Sequence, residues 1–229
     1  MGIIPKINLK GLYKMANCGN KNFAYDEMMV HVPLCSHKDI KKILVVGEVS
    51  SDFKNELAKH KCKDVTFSDN LNIEDTFDII LYNKEENFDD MFMASVDRCL
   101  EQTKGIFVTK ASFIYKDLEV SKKELEIVGK NFWICMPYSF GHNTLIFASK
   151  KYHPQAEIVL HTSDLLEGCE YYNTELQNAS FVYPTYITKG ITGIAQKISR
   201  VYQCCCLNRV ALQQGKSTCA SPFKTTWLF

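Results

Sequence analysis

The run Ile43-Leu-Val-Val46 is apolar without the alternation of a half-solvated strand, and it closes on Gly47. Such a run suits a strand covered on both faces of a mostly parallel sheet. Val65-Thr-Phe67, ending in Ser68-Asp69, predicts a second strand. Phe77-Asp-Ile-Ile-Leu-Tyr82 predicts a third and Gly105-Ile-Phe-Val-Thr109 a fourth. Helical spacing fills the intervals. Ser50 or Ser51 caps a helix through Lys59, with Phe53 and Leu57 four apart on its inner face. Phe88, Met91, Phe92, Ser95, Val96, Cys99 and Leu100 recur at three and four, and Leu118, Leu125 and Val128 mark a helix over 117–128. Ahead of the first strand, Phe23, Met28, Met29 and Val32 share much of one helical face, which predicts an amphipathic segment stopped by Pro33. Asn131 to Tyr138 and Thr144 to Ala148 lie close enough in sequence to form an antiparallel pair.

This alternation predicts an α/β fold: a mostly parallel sheet with helices on both faces and an antiparallel C-terminal edge. Ligands of such sheets bind at the carboxyl ends of the strands. Here those ends are Gly47 to Ser51, Ser68-Asp69, Tyr82 to Glu86, and Thr109 onward. Gly2, Pro5, Gly11 and Gly19 punctuate residues 1–20, which read as an irregular arm or single hairpin. Composition shifts abruptly after Arg200, so 201–229 reads as a divergent extension or a disordered tail, leaving one α/β domain over 21–200.

Length and charge narrow the function classes. A chain of 229 residues suits one domain with a sizeable core. Lys+Arg 27 against Asp+Glu 26 gives a net charge of +1, which offers no global attraction to nucleic acid or an anionic membrane. The local cluster Lys38, Lys41 and Lys42 reads as a solvated face. No apolar run approaches the roughly 20 residues that span a bilayer, and no apolar block of a secretory signal opens the chain, so a soluble, cytoplasmic protein is expected. The 10 cysteines include no CxxC pair with metal spacing, and no metal is expected. Most read as reduced thiols; Cys204 to Cys206 are either a reactive tail or an acylated or metal-binding triplet.

At the strand ends, Gly47-Glu-Val-Ser-Ser-Asp52 occupies the turn where nucleotide-binding sheets carry several glycines that let backbone approach the ligand; only the first is present. Asp69 has the character to accept hydrogen bonds from two ribose hydroxyls, or it is a strand-end turn residue. Glu85, Glu86, Asp89 and Asp90 can hold a cation such as an amine, or complement the dipole of the helix that follows.

Three ordered stretches carry a family resemblance. Phe23-Ala-Tyr-Asp-Glu-Met-Met-Val-His-Val-Pro-Leu-Cys-Ser-His37 with Lys42 to Gly47 resembles the entry segment and first strand of the polyamine aminopropyltransferases, the spermidine synthase family. Cys99-Leu-Glu-Gln-Thr-Lys-Gly-Ile-Phe-Val108 resembles that family's helix-to-strand passage, and Tyr171-Tyr-Asn-Thr-Glu-Leu-Gln-Asn-Ala-Ser-Phe-Val-Tyr-Pro184 its C-terminal segment. The resemblance covers roughly 20–190. It implies a methyltransferase-like (Rossmann-like) fold and transfer of an aminopropyl group from decarboxylated S-adenosylmethionine to putrescine, with release of methylthioadenosine. It also implies small-molecule polyamine and nucleoside partners, a homodimer, and no resident cofactor beyond the nucleoside co-substrate.

Site residues carry over unevenly. The family's Asp-x-x-Asp-Pro loop after the third strand supplies its base; the matching positions are Asn83 and Glu86, and the proline is absent. Tyr25 falls on the family's polyamine-contacting position, Asp26 on its neighbour, and Tyr138 on the tyrosine before a later glycine, here Gly141, so the resemblance implies that Tyr25 and Tyr138 line an amine pocket. The family's Gly-Gly-Gly-Asp-Gly loop is replaced by Gly47-Glu48-Val49-Ser50-Ser51, so Ser50 stands where an aspartate holds the aminopropyl amine, and the side chains of Glu48 and Val49 intrude on the nucleoside. Asp69 keeps the ribose-binding acid. The chain between Asp69 and Phe77 is too short for the family's second helix and next strand, and most of the N-terminal β-domain is missing. Two functions fit: a divergent aminopropyltransferase with Glu86 substituting as base, or an inactive member that binds ligand or pairs with another subunit. A methyltransferase using intact S-adenosylmethionine is disfavoured, because the later stretches resemble aminopropyltransferases specifically.

Overall fold

A computed structural model describes residues 23–60 and 64–195; the expected arm over 1–20 and tail over 201–229 lie outside the described residues. The elements run α1 (Phe23–Ser36), β1 (Lys42–Val46), α2 (Ser51–Lys59), β2 (Asp64–Ser68), β3 (Ile79–Tyr82), α3 (Asp90–Cys99), β4 (Ile106–Ala111) and α4 (Leu118–Gly129). They continue with β5 (Ile134–Phe140), β6 (Asn143–Ser149), α5 (Leu160–Ser163), α6 (Thr174–Ser180) and α7 (Thr185–Ile191). The strands form one sheet in the order β2-β1-β3-β4-β6-β5. β2, β1, β3 and β4 pair in parallel, whereas β6 is antiparallel to both β4 and β5. The antiparallel C-terminal edge is thus a hairpin whose second strand inserts beside β4.

Alternation along the strands builds two cores. Ile43, Val45, Ile79, Leu81, Ile106 and Val108 face one side, against Met28, Met29 and Val32 of α1 and Phe53 and Leu57 of α2. Leu44, Val46, Ile80, Tyr82 and Phe107 face the other, against Met93 and Val96 of α3, Leu125 and Val128 of α4 and Ile187 of α7. Covering both faces is what the unbroken apolar runs require. Asp78 fixes the entry to β1, its Oδ2 accepting from the Lys41 and Lys42 N–H groups at 2.8 and 3.0 Å.

Caps set the helix starts, the first of them where the sequence predicts it. Ser50 accepts from the Phe53 N–H at the head of α2, Asp89 from Phe92 at α3 and Asp117 from Val120 at α4. Asp89 and Asp90 therefore serve the start of α3. The strand expected over 77–82 begins only at Ile79, because Phe77 pairs separately with Leu100, which also ends α3 one residue short of the apolar pattern. The basic cluster is locally neutralised: Lys38 faces Glu157, Lys41 faces Asp39 and Lys42 faces Asp75.

The first helix corrects the sequence expectation twice. It is not amphipathic, since every residue from Tyr25 to Ser36 is buried, and it runs through Pro33 to Ser36. A proline inside a helix costs about 3 kcal/mol through its missing N–H and its ring clash. Burial on all sides outweighs that cost, and the Ser36 hydroxyl closes the last turn on the Val32 carbonyl at 2.7 Å. The polar groups that a buried helix cannot leave bare all find partners. Gln177 of α6 donates to Ser36 Oγ at 3.1 Å, and Glu27 accepts three backbone N–H groups from residues 170–172. No helix among the described residues is long and apolar enough to cross a membrane.

Candidate active site

Gly47 turns the chain out of β1 with a φ of 102°, in the left-handed region open to glycine. A Cβ there would lie 2.9 Å from Lys84 Cγ and 3.1 Å from the Asn83 carbonyl oxygen, so this glycine is fixed by space as well as by conformation. Asn83 follows β3 beside it. Its N–H donates to the Val46 carbonyl at 2.8 Å and its side-chain amide donates to the Glu48 carbonyl. Tyr25, from the first turn of α1, donates its hydroxyl to Asn83 Oδ1 at 2.8 Å. Burial, reinforced by the neighbouring Asp26 charge, pushes the Tyr25 phenol well above its ordinary range, so it stays a neutral donor.

Two clefts open on this rim. The larger, about 880 Å³, runs from Asp69 at the end of β2 past Tyr82 and Lys84 to Phe92 and Arg98 on α3. The smaller, about 470 Å³, is bounded by Tyr25, Lys110, Glu124 and His142. Glu85 and Glu86 line both. The Glu86 carboxylate accepts from the Tyr82 hydroxyl at 2.8 Å; burial and this hydrogen bond raise the Tyr82 phenol.

Of the residues singled out in the sequence, Tyr25, Asn83 and Glu86 gather at the end of β3, and Asp69 stands on the rim of the larger cleft. Ser50 and Asp26 are spent on each other: the Ser50 hydroxyl donates to Asp26 Oδ2 at 2.9 Å while capping α2. Asp26 is only 8 % exposed, and burial raises its carboxyl above the usual range despite the Ser50 bond. Tyr138 is a correction to the expected amine pocket. It lies wholly in the core, its hydroxyl on the Met28 carbonyl at 3.3 Å and its ring against Phe181, because β5 directs it toward α1 rather than to the strand ends.

Two lysines went unnoticed in the sequence. Lys84 arches over Gly47 and donates to the Asp69 carbonyl at 2.5 Å, spanning the ends of β3, β1 and β2. Lys110, near the end of β4, holds its ammonium 5.3 Å from the centre of the Tyr25 ring, a cation–π distance. The larger cleft thus carries Lys84 beside Arg98, and the smaller carries Lys110. The sequence signal was a lysine at the end of each central strand, adjoining positions already singled out.

The chain is similar in sequence and in fold to known proteins of one family. The Spermine/spermidine synthase domain family model matches residues 22–71, the span from α1 through β1 and α2 to the end of β2. The polyamine aminopropyltransferase of Clostridium beijerinckii is 26% identical, over 75% of this chain and 79% of its own length. The Thermoanaerobacter sp. polyamine aminopropyltransferase is 26% identical over 72% and 76%. The crystal structure of spermidine synthase from Thermotoga maritima superposes with a TM-score of 0.64 at 21% identity, covering 75% of each chain. A spermidine synthase bound to the transition-state analogue AdoDATO gives 0.66 at 20% identity, over 75% and 76%. The sequence matches support a divergent member of the spermidine synthase family, and the structural matches show its fold. The family-model match ends at Leu71, where the chain reaches Phe77 without the helix and strand expected of the family. The β1 turn carries Glu48 and Val49 after Gly47, and the Lys84 side chain lies against Gly47.

Proposed function

We propose that the chain is an aminopropyltransferase of polyamine biosynthesis, moving the aminopropyl group of decarboxylated S-adenosylmethionine to putrescine. The observation that carries this reading is Glu86 on the seam of the two clefts, with the nucleoside side at Asp69 and the amine side at Tyr25. In the reaction, the amine nitrogen forms a bond to the methylene carbon beside the sulfonium. The carbon–sulfur bond breaks, its electron pair returns to sulfur, and neutral methylthioadenosine leaves. The sulfonium is already a good leaving group, so alignment and removal of the nitrogen's proton are what remain for the protein. Glu86 takes that proton. Asn83 has no carboxylate and instead orients the Tyr25 hydroxyl at the mouth of the amine cleft.

Purified protein given both substrates should release methylthioadenosine, followed by chromatography. Glu86→Gln should lower turnover about 10²–10⁴-fold, the range of a general base, whereas Asn83→Asp should change it by no more than about tenfold. No methylthioadenosine release by the wild type would sink the activity; full turnover by Glu86→Gln would remove Glu86 as base. A second reading, a ligand-binding family member without turnover, is favoured by the Lys84 and Lys110 ammoniums standing where cationic substrates would enter. Calorimetric binding of methylthioadenosine without turnover would select it.

A further inference from the structure

His31 of α1, Glu56 of α2 and Cys169 of the loop before α6 converge although they are far apart in sequence, and their donor atoms all lie within 4.8 Å of one another. We propose that these side chains form a zinc-binding site, a function separate from the strand-end clefts. His31 Nε2 is 3.0 Å from Glu56 Oε2 and 3.6 Å from Cys169 Sγ. Zinc bonds of about 2.0–2.3 Å in a tetrahedron separate ligand atoms by about 3.3–3.8 Å, so small rotations complete the set. Mixed imidazole, carboxylate and thiolate donors suit zinc. Three protein ligands leave the fourth position to solvent.

The surroundings hold these groups in place. The His31 ring packs against Tyr172 at 5.0 Å between centroids, and its Nδ1 is 2.7 Å from His60 Nε2. With the proton on His31 Nδ1 donated to His60, Nε2 presents its lone pair to the metal, the outer-shell arrangement that orients a ligating histidine. The loop bearing Cys169 turns at Gly168, with a φ of 67°, and is tied to α1 by Glu27. Lys59 marks the position as one that attracts a cation: its ammonium is 2.6 Å from Glu56 Oε2 and 3.9 Å from Cys169 Sγ. Lys59 is partly exposed, so it can swing to solvent as the metal enters. Binding then exchanges the Cys169 thiol proton and the lysine contact for the metal, with no change of oxidation state. The result is a clip joining α1, α2 and the C-terminal segment.

Cobalt(II) titration of the full-length chain tests this. Wild type should develop a near-ultraviolet thiolate-to-cobalt charge-transfer band that equimolar zinc abolishes. Cys169→Ser should lose the band while keeping the wild-type circular dichroism spectrum, since Cys169 is only partly buried. A variant with Cys204, Cys205 and Cys206 all replaced by serine should keep the band. Lys59→Met should tighten cobalt binding by removing the competing ammonium. No band in the wild type, a band surviving in Cys169→Ser, or a band lost with the 204–206 cysteines would overturn the site.

Discussion

Glu27 is where a single atom substitution should be most informative. Its Oε1 accepts the Glu170 N–H at 2.8 Å, and its Oε2 accepts those of Tyr171 and Tyr172 at 2.9 and 2.7 Å. The residue is 2 % exposed, so water cannot take over these bonds. Glu27→Gln preserves shape. With the amide oxygen at the Oε2 position two acceptances survive in weaker, neutral form, while the new NH₂ group meets the Glu170 N–H donor to donor. Losing one charge-assisted bond of about 1.5–3 kcal/mol and weakening two more predicts a cost of about 2–4 kcal/mol. Native-state hydrogen exchange reads this locally: the amides of residues 170–172 should exchange about 30- to 1,000-fold faster, at roughly 1.4 kcal/mol per decade. Urea denaturation should show the same loss if the segment unfolds with the domain. Exchange rates within about threefold of wild type would refute the view that this carboxylate locks the C-terminal segment onto α1.

His37 gives a pH signature. Burial drives its pKa down to about 4, partly offset by Asp78, its ring packs edge-on against Tyr152, and its Nδ1 accepts the Asp39 N–H at 3.2 Å. The unfolded chain binds the proton near 6.5, so between about 6.5 and 4 it holds more protons than the fold, and stability must fall as pH falls. The worked loss from pH 7 to pH 5 is about 2 kcal/mol, which His37→Gln should remove from the urea-derived stability difference; an unchanged difference would count against it. Lys84→Met should tighten binding of cationic decarboxylated S-adenosylmethionine by about fivefold, the ~1 kcal/mol that like charges feel in a solvent-exposed cleft, and added salt should shrink the gain. Neutral methylthioadenosine should gain less, and calorimetry showing weaker binding of the cation would reverse the role given to Lys84.

The sheet was legible because its signals are local. Apolar runs such as Ile43–Val46, bounded by glycine, suit doubly covered strands, and Ser50 announces its helix within a few residues. The register of the final hairpin was less so, since β5 and β6 are both apolar and either could adjoin β4. The first helix misled because its polar residues looked like a solvent face. Glu27 and Ser36 are instead satisfied by groups from 170–177, and His31 by Glu56 and His60, all distant in sequence, and no spacing rule links them. The site was legible to the same degree. Asn83, Glu86 and Asp69 sit at strand ends, whereas Tyr138 had a family position but no local signal that β5 would turn it into the core.

The first helix does more than cover the sheet. Tyr25, Glu27 and His31 lie within about two of its turns, with Tyr25 and His31 about 9 Å apart along the axis at 1.5 Å per residue. Tyr25 reaches the strand-end cleft, Glu27 holds the loop over 170–172, and His31 meets Cys169 of that loop's first turn. The loop returns to the cleft by another route, because Tyr171 packs on Phe140 and Phe140 packs on Tyr25, at 6.2 and 6.3 Å between centroids. Tyr25 is therefore fixed both through the backbone of α1 and through an aromatic chain from the C-terminal segment. A single rigid helix with the segment bound to it sets the position of the tyrosine that meets Asn83.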